Sequence, residues 1–297
     1  MTTLTDAPPR TGLAAGAAAI TVVLWASSFV AIRHVGTEIS AGALSLARLG
    51  LGSIFLGVLL LRRPRPAVRR WPTQRDWLPL IACGVLWFGV YNLALNEAER
   101  RLDAGTAAML VHIAPLLIAV LAGVGLGEGF PRQLVIGSLV AFAGIVVIGT
   151  STSSGSAETW GVVLCVVAAI SYAVGVVTQK PLLSRLPAAE VTWLACTIGA
   201  VVCMPFAPTL VEEVSSADAG TIWWIVYLAA FPTALGFTTW AFALRRTSAG
   251  RMGVTVYAVP VVAIVLGWLL LGEAPTVLAL AGGALCLVGV AISRRTA

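Results

Sequence analysis

Long apolar runs separated by short polar connections make up most of the chain. Runs of about 20 residues match the roughly 30 Å hydrocarbon core of a bilayer at 1.5 Å per helical residue. In lipid every backbone polar group must be satisfied internally, so such runs form helices. The pattern therefore predicts an all-α integral membrane protein. Ten transmembrane spans, numbered 1 to 10, are predicted at residues 13–33, 39–61, 77–97, 104–126, 132–150, 159–178, 188–207, 220–244, 249–271 and 276–293.

The composition agrees with this pattern. Hydrophobic residues account for 59% of the 297 positions and charged residues for 11%, which is about half the share of a soluble domain. A membrane β-barrel would need short alternating segments, and these are missing from the sequence. The five cysteines lie inside apolar runs without paired spacing, which indicates packing residues and no metal site or disulfide framework. No cofactor is expected.

Nearly all the positive charge behind the net charge of +6 lies in short loops, a pattern that reflects membrane topology. Nucleic acid is therefore not an expected partner. With the N-terminus in the cytoplasm, 15 of the 19 Lys and Arg residues fall in cytoplasmic segments, and only Arg33, Arg100 and Arg101 fall outside. The positive-inside rule then places both termini in the cytoplasm, as in a bacterial-type inner membrane. The first run is predicted to be a retained helix and not a cleaved signal peptide. The expected partners are the lipid bilayer and a small-molecule solute, and the protein is expected to work as a monomer.

The chain contains an internal repeat. Shifted by 145 residues, Ala98–Gly144 overlays Ala243–Gly289 with 14 identities in 47 positions, against roughly one in ten expected from so biased a composition. The identical positions include Ala104-Gly105 with Ala249-Gly250, Pro115 with Pro260, Leu126-Gly127-Glu128 with Leu271-Gly272-Glu273, and Gly137 and Gly144 with Gly282 and Gly289.

The repeat divides the chain into residues 1–150 and 151–297. Each half holds five predicted spans, and because five is odd the second half enters the membrane from the opposite side. The sequence thus predicts two inverted five-helix repeats around a central cavity. Inverted repeats are typical of secondary transporters, in which alternating access moves one set of helices against another.

Three motifs resemble a known family: Trp25-Ala26-Ser27-Ser28-Phe29 in span 1, Ala47-Arg48-Leu49 in span 2, and the order Ala-Gly, Pro, Gly-Glu within both 104–128 and 249–273. They are similar to the drug/metabolite transporter superfamily, specifically its ten-helix EamA-type exporters, and most of all the aromatic amino acid exporters. The resemblance implies a cavity lined by spans 1, 3, 4, 6, 8 and 9, with spans 5 and 10 at the periphery. It also implies export.

The predicted function is therefore secondary export of small amphipathic metabolites, namely amino acids including aromatic ones. No Asp or Glu lies near the middle of a span, so uniport is plausible and proton coupling through carboxylates is poorly supported. One alternative is an antiporter of the same fold for drugs or nucleotide-sugar-like metabolites. A membrane enzyme is less favoured, because the sequence has no HExxH, Cys/His cluster or P-loop. A channel would more naturally show an oligomeric filter.

Aromatic and polar residues deep in the spans are the candidate substrate contacts. Rings and small polar groups on facing helices suit neutral aromatic or apolar solutes, whereas Trp residues near span ends, such as Trp77 and Trp223, usually form the interfacial belt. The candidates are Trp25, Ser28, Trp87, Tyr91, Asn92, His112, Tyr172, Phe237, Trp240 and Tyr257.

His112 and two prolines have matched positions in spans 4 and 9. An ionisable group at this depth favours a functional role, so His112 is predicted to contact substrate, the alternative being a histidine satisfied by a neighbouring helix. Pro115 and Pro260 each follow a candidate contact, His112 or Tyr257, by three residues. Because proline opens the preceding helical turn, both are candidate hinges, although membrane prolines often only shape packing.

Arg48 is the basic residue deep in a span. A buried guanidinium must extend to the interface or pair with an anion. A structural ion pair with Glu97 or Glu38 is favoured over a clamp for a substrate carboxylate, because the resemblance places the cavity away from span 2.

Overall fold

The computed structural model describes residues 11–36, 38–62, 71–101, 110–152, 159–271 and 276–294. Within these ranges the regular secondary structure is helical, as predicted. The α-helices are Thr11–Val35, Ala41–Arg62, Gln74–Ala82, Tyr91–Glu99, Ala114–Gly125, Arg132–Thr152, Thr159–Arg185, Ala188–Val202, Ala207–Ser216, Ala219–Leu228, Gly236–Leu244, Ala249–Thr255, Ala258–Leu271 and Val277–Arg294. The stretches Cys83–Val90 and Ala229–Leu235 are π-helical, and Met204–Phe206 is a 3-10 turn.

Six described helical segments are long and apolar enough to cross a membrane, and they lie in spans 1, 2, 3, 6, 8 and 9. Span 7 is a bent pair, Ala188–Val202 and Met204–Ser216, which meet at 53° and make a seventh crossing if they act as one. Spans 4, 5 and 10 contain shorter apolar helices. The chain is thus a multi-pass membrane protein, and ten crossings stay a prediction. The repeat positions Ala104-Gly105 and Gly272-Glu273 lie outside the described residues.

Spans 3 and 8 each contain a π-helical stretch near their middle. Shifted by 145 residues, positions 84–90 of Cys83–Val90 overlay Ala229–Leu235. A π-helical turn holds an extra residue and is frequent at functional sites. The two predicted halves therefore carry the same local distortion at the same position in the repeat.

Spans 4 and 9 are interrupted near their prolines. In span 4 a turn at residues 112–113 precedes Ala114–Gly125, whose second residue is Pro115. In span 9 a turn at residues 256–257 separates two helices, the second of which has Pro260 as its third residue. Because proline lacks the N–H that would continue the preceding turn, the breaks are local consequences of the sequence. They lie where hinges were predicted, and movement at them stays a prediction.

Spans 5 and 10 pack against each other through glycines. A Cβ atom on Gly137 would lie 2.6 Å from the carbonyl oxygen of Gly289, and one on Gly144 would lie 2.5 Å from that of Gly282. Only residues without a Cβ allow the helices to come this close. As the position in span 5 rises from 137 to 144, its partner in span 10 falls from 289 to 282. The two helices are therefore antiparallel.

Candidate functional site

A pocket lies between the spans near the centre of the bundle. Its volume is about 770 Å³ when space open to solvent is included. Spans 1, 3, 4, 6, 8 and 9 all line it, and span 2 also contributes. The lining residues are Trp25, Ser28, Phe29, Ile32, Arg48, Trp87, Tyr91, Asn92, Leu95, Glu99, Val111, His112, Pro115, Tyr172, Phe237, Val256 and Val259.

The base of the pocket is a cluster of five rings, Trp25, Trp87, Tyr172, Phe237 and Trp240, here called the aromatic floor. Trp25 stacks on Trp240 with centroids 5.1 Å apart and planes at 25°. Trp87 stacks on Tyr172 at 5.1 Å and 19°. The two stacks meet edge to face, since Trp25 and Trp87 are 6.2 Å apart at 89°. These geometries are the favourable ones for aromatic pairs, so the floor is well ordered and presents ring faces and edges to a solute.

Close helix contacts hold the floor in place. Trp25 Nε1 donates to the carbonyl oxygen of Pro232, 3.3 Å away in the π-helical stretch of span 8. Gly236 leaves room for the same indole, because a Cβ there would lie 3.0 Å from Trp25 Nε1. Gly175 of span 6 does the same for Trp87, whose Cβ would be 2.4 Å from an added Cβ. The large rings fit because small residues face them.

Five polar side chains, Ser28, Arg48, Asn92, Glu99 and His112, line the pocket and form the polar wall. Asn92 Nδ2 donates to the carbonyl oxygen of Phe88 at 2.8 Å, which leaves its Oδ1 acceptor available to the pocket. Ser28 Oγ donates to the carbonyl oxygen of Trp25 at 2.6 Å. The ring of His112 lies 6.2 Å from that of Tyr257. The polar wall thus joins one cation, one carboxylate and neutral hydrogen-bonding groups.

The predicted partners of Arg48 need correction. Arg48 Nε donates to Thr233 Oγ1 at 3.2 Å. Glu97 pairs instead with Arg100 and Arg101, at 3.6 and 2.8 Å. Glu38, the other candidate, accepts a hydrogen bond from the backbone N–H of Asp218 at 3.2 Å. Contrary to the expectation for span 2, the Arg48 side chain borders the pocket.

Most predicted contacts come together. Eight of the ten candidates line the pocket, and so does Pro115. Trp240 is fully buried and stacks on Trp25, so it is the ring of the floor that does not line the pocket. Tyr257 is fully buried in an apolar cluster with Leu134 and Cys286, behind His112. Pro260 is not among the lining residues described.

Several lining residues were not predicted. Ile32 and Leu95 share helix faces with predicted contacts, so their spacing contained the signal. Glu99 had a weaker signal, because a carboxylate at the end of a helix resembles a loop residue. Val256 and Val259 carry no chemical signature and enter through the bend of span 9.

Polar contacts join the spans at one end of the bundle, here called the Lys180 end and defined by Asp76, Glu128, Lys180, Arg185 and Ala249. Arg185 Nη1 lies 3.0 Å from Asp76 Oδ1. Glu128 Oε1 accepts from the backbone N–H of Ala249 at 2.8 Å, and Oε2 accepts from the next N–H at 3.2 Å. Lys180 Nζ donates to two carbonyl oxygens, those of Leu244 and Thr247. These contacts link spans 3, 4, 6, 8 and 9.

Glu128 reaches span 9 because of the turn that carries it. Gly127 and Gly129 both have φ of 66°, a left-handed conformation that glycine adopts without strain. The turn ends the helix Ala114–Gly125 and directs the carboxylate toward the start of Ala249–Thr255, where free N–H groups favour an anion.

The region between the aromatic floor and the Lys180 end is filled by buried apolar side chains, among them Leu182, Leu244 and Met252. Gln179 is an exception, with no exposed surface and no hydrogen-bond partner for either side-chain amide atom among the described residues. It lies seven residues after Tyr172, two helical turns closer to the Lys180 end. A buried amide without hydrogen-bond partners raises the free energy of the conformation that buries it. Gln179 therefore destabilises the packing between the aromatic floor and the Lys180 end.

Comparison with known proteins identifies the family. The sequence profile of the EamA-like transporter family matches residues 12–150 and again residues 159–295. The chain belongs to the EamA-like transporter family. This family lies within the drug/metabolite transporter superfamily, so the resemblance drawn from the motifs of spans 1, 2, 4 and 9 is confirmed. The protein is accordingly a multi-pass membrane transporter.

Relatives and a solved structure cover nearly the whole chain. A protein of Streptantibioticus cattleyicolor described as a probable terminal-alkyne amino-acid exporter is 39% identical, over 93% of this chain and 92% of its own length. A probable amino-acid metabolite efflux pump of Salmonella typhimurium is 25% identical, over 94% and 96%. One crystal structure superposes with a TM-score of 0.79 at 21% identity, covering 95% of this chain and 96% of the other, so the two chains share a fold.

Proposed function

We propose that this EamA-like transporter exports amino acids, including aromatic ones, through the central pocket. The observation that carries the proposal is the division of that pocket into an aromatic floor and a polar wall. An amino acid has the same division, since an apolar side chain joins a carbon that carries an ammonium and a carboxylate. The floor fits the side chain, and the wall supplies Arg48 for the carboxylate and neutral acceptors such as Asn92 for the ammonium.

Relatives support the same class of solute. The two named above are described as exporters or efflux pumps of amino acids or their metabolites. A terminal alkyne is linear, with a cylindrical π system, and like an aromatic ring it is an apolar, π-rich group that can pack against ring faces. The floor therefore suits both kinds of side chain, and export is the direction to test.

Transport proceeds by alternating access between two inverted halves, residues 1–150 and 151–297. Three observations support this part of the proposal. The family profile matches each half separately, the π-helical stretches fall at equivalent positions, and spans 5 and 10 pack antiparallel with exchanged glycine pairs. Helices that occupy equivalent positions but run in opposite directions are expected of halves related by an axis in the membrane plane.

The energy source is the gradient of the solute itself, and the carrier is a uniporter. Glu99 is the carboxylate among the lining residues, and it ends the helix Tyr91–Glu99, far from the floor. A midplane carboxylate relay is therefore poorly supported. Both termini are proposed to face the cytoplasm of an inner membrane, because 15 of 19 basic residues then lie on that side.

A flux assay with purified protein in proteoliposomes tests the proposal. The panel contains L-phenylalanine, L-tryptophan, L-propargylglycine, L-alanine and a nucleotide sugar, each measured as counterflow against protein-free vesicles. We expect saturable exchange of the first three, weaker exchange of L-alanine, and no dependence on a pH gradient. Exchange of the nucleotide sugar alone would replace amino acid export with the antiporter alternative, and flux that requires a proton gradient would exclude uniport.

A further inference from the structure

Arg48 occupies an unusual position for a charged side chain. It is the eighth residue of the helix Ala41–Arg62, is only 6% exposed, and lines the pocket. Removing a guanidinium from water is expensive unless its N–H groups find strong acceptors. A purely structural Arg48 would be expected to satisfy most of its donors with other parts of the protein.

The contacts of Arg48 satisfy only part of this requirement. In the part of the chain that the structure describes, its hydrogen bond is the one from Nε to Thr233 Oγ1 at 3.2 Å. A guanidinium has five N–H donors in a planar fork. The bond to Thr233 therefore fixes the plane of the group, while the Nη1 and Nη2 donors remain for the pocket. This fork matches the two oxygens of a carboxylate.

We infer that Arg48 binds the carboxylate of the transported solute, with Thr233 as the residue that positions it. The inference rests on the proposed function and names the charged group that the pocket selects. The solute ammonium is met by the acceptors of the polar wall nearest the floor, since Glu99 lies at the far end of its helix. Asn92 Oδ1 is a neutral acceptor on the same wall. The aromatic floor then receives the side chain, so solutes with an α-carboxylate are preferred over analogues without one.

The first experiment uses the unmodified protein. Counterflow of L-phenylalanine is compared with counterflow of L-phenylalaninamide, which keeps the ring and the ammonium but lacks the negative charge. We expect the acid to be preferred by about tenfold or more, the usual effect of one charge-assisted hydrogen-bonded contact. Equal transport of acid and amide would overturn the inference while leaving amino acid export intact. Failure to transport any amino acid would instead contradict the proposed function.

Substitutions then locate the preference. Arg48→Gln is expected to bring the acid-to-amide ratio close to one, and Arg48→Lys to retain part of it, because a lysine keeps the charge but not the fork. Arg62→Gln is the matched control, since Arg62 is exposed at the end of the same helix. Binding of both solutes in detergent, followed by tryptophan fluorescence, gives the ratio even if a variant transports poorly. A normal ratio in Arg48→Gln would reject the clamp.

Thr233 provides an independent test of positioning. Thr233→Val removes the acceptor of Arg48 Nε with little change in shape. We expect it to raise the KM for L-phenylalanine several-fold while leaving that for the amide unchanged. Thr238→Val is the control, because Thr238 Oγ1 bonds the carbonyl oxygen of Ala234 in its own span, at 2.6 Å. An equal effect on acid and amide would show that Thr233 supports the helix packing and does not position Arg48.

Discussion

Cys286 Sγ donates to the carbonyl oxygen of Ala141, 3.4 Å away, and the two residues are 145 positions apart, the offset of the internal repeat. Each is thus the counterpart of the other in its own half of the chain. On either side of this contact, Gly137 meets Gly289 and Gly144 meets Gly282, which is the same pairing with the halves exchanged. Such exchange is what the proposed inverted relation between the halves would produce, with its two-fold axis at the crossing of spans 5 and 10.

This crossing depends on its glycines. An alanine in a helix is ordinarily more stable than glycine by about 0.5–1 kcal/mol, so Gly16→Ala, where no atom lies within 4 Å of the added Cβ, is expected to raise the thermal unfolding midpoint slightly. Gly137→Ala is expected to lower it, because its Cβ would meet backbone atoms of span 10. Thermal unfolding in detergent measures whether each substitution raises or lowers the unfolding midpoint. A stabilising Gly137→Ala would show that spans 5 and 10 separate easily.

Trp25 is predicted to matter more to transport than tryptophans at the surface. It contacts four other aromatic rings, each pair being worth about 0.5–1.5 kcal/mol. We expect Trp25→Ala to reduce transport of L-phenylalanine by about tenfold or more, and His112→Ala to reduce it less strongly. Trp77→Ala and Trp223→Ala, which remove side chains 42% and 72% exposed, serve as controls. If the controls lose more flux than Trp25→Ala, the pocket is not the transport site.

Glu128 is predicted to hold the Lys180 end closed. Its carboxylate accepts two backbone N–H groups of span 9, and a neutral amide would accept them more weakly. Glu128→Gln should therefore speed maleimide labelling of a Met252→Cys probe several-fold, since Met252 is only 2% exposed in this conformation. The assay uses a background without the five native cysteines. Glu212→Gln, at an exposed position, is the control, and unchanged labelling in Glu128→Gln would exclude this role.

Gln179 is predicted to destabilise the conformation described here, in which buried side chains fill the region next to the Lys180 end. Its amide has no partner among the described residues, and replacing it with leucine removes a desolvation cost of roughly 1–3 kcal/mol. Gln179→Leu is thus expected to raise the unfolding midpoint while lowering the rate of transport, because this conformation becomes too stable. Gln74→Leu, at an exposed site, should do neither. A Gln179→Leu variant that is less stable than the parent protein would refute the explanation.

Hydropathy was sufficient to predict the helical class and the multi-pass character of the chain, whereas the spans that line the pocket were predicted from the family resemblance. Deep aromatic residues such as Trp25 and Trp87 had a clear signal, because large amphipathic rings away from span ends have few structural alternatives. The break before Pro115 was equally visible, since proline acts on its own helix. These features depend on local sequence, so the sequence alone was enough.

The remaining features depend on contacts between distant residues. The π-helical stretch Cys83–Val90, which packs against spans 6 and 7, was not predicted from the sequence. Arg48 was assigned to a structural pair because the resemblance placed the cavity away from span 2. Its hydrogen bond to Thr233, 185 positions away, joins two distant parts of the chain and could not be predicted from the sequence. Trp240 was expected to line the pocket but is fully buried against Trp25. Which of the five floor rings faces the pocket depends on how residues from four spans stack on one another.

The aromatic floor also determines how the carrier can move. Its rings come from spans 1 and 3 of the first half and spans 6 and 8 of the second, and each ring contacts at least one ring of the other half. A shift of one half relative to the other must therefore disrupt several ring contacts together. Under the proposed alternating access, passage of a solute beyond the floor would be a cooperative, all-or-none event, without the slow leak that a single movable side chain would permit.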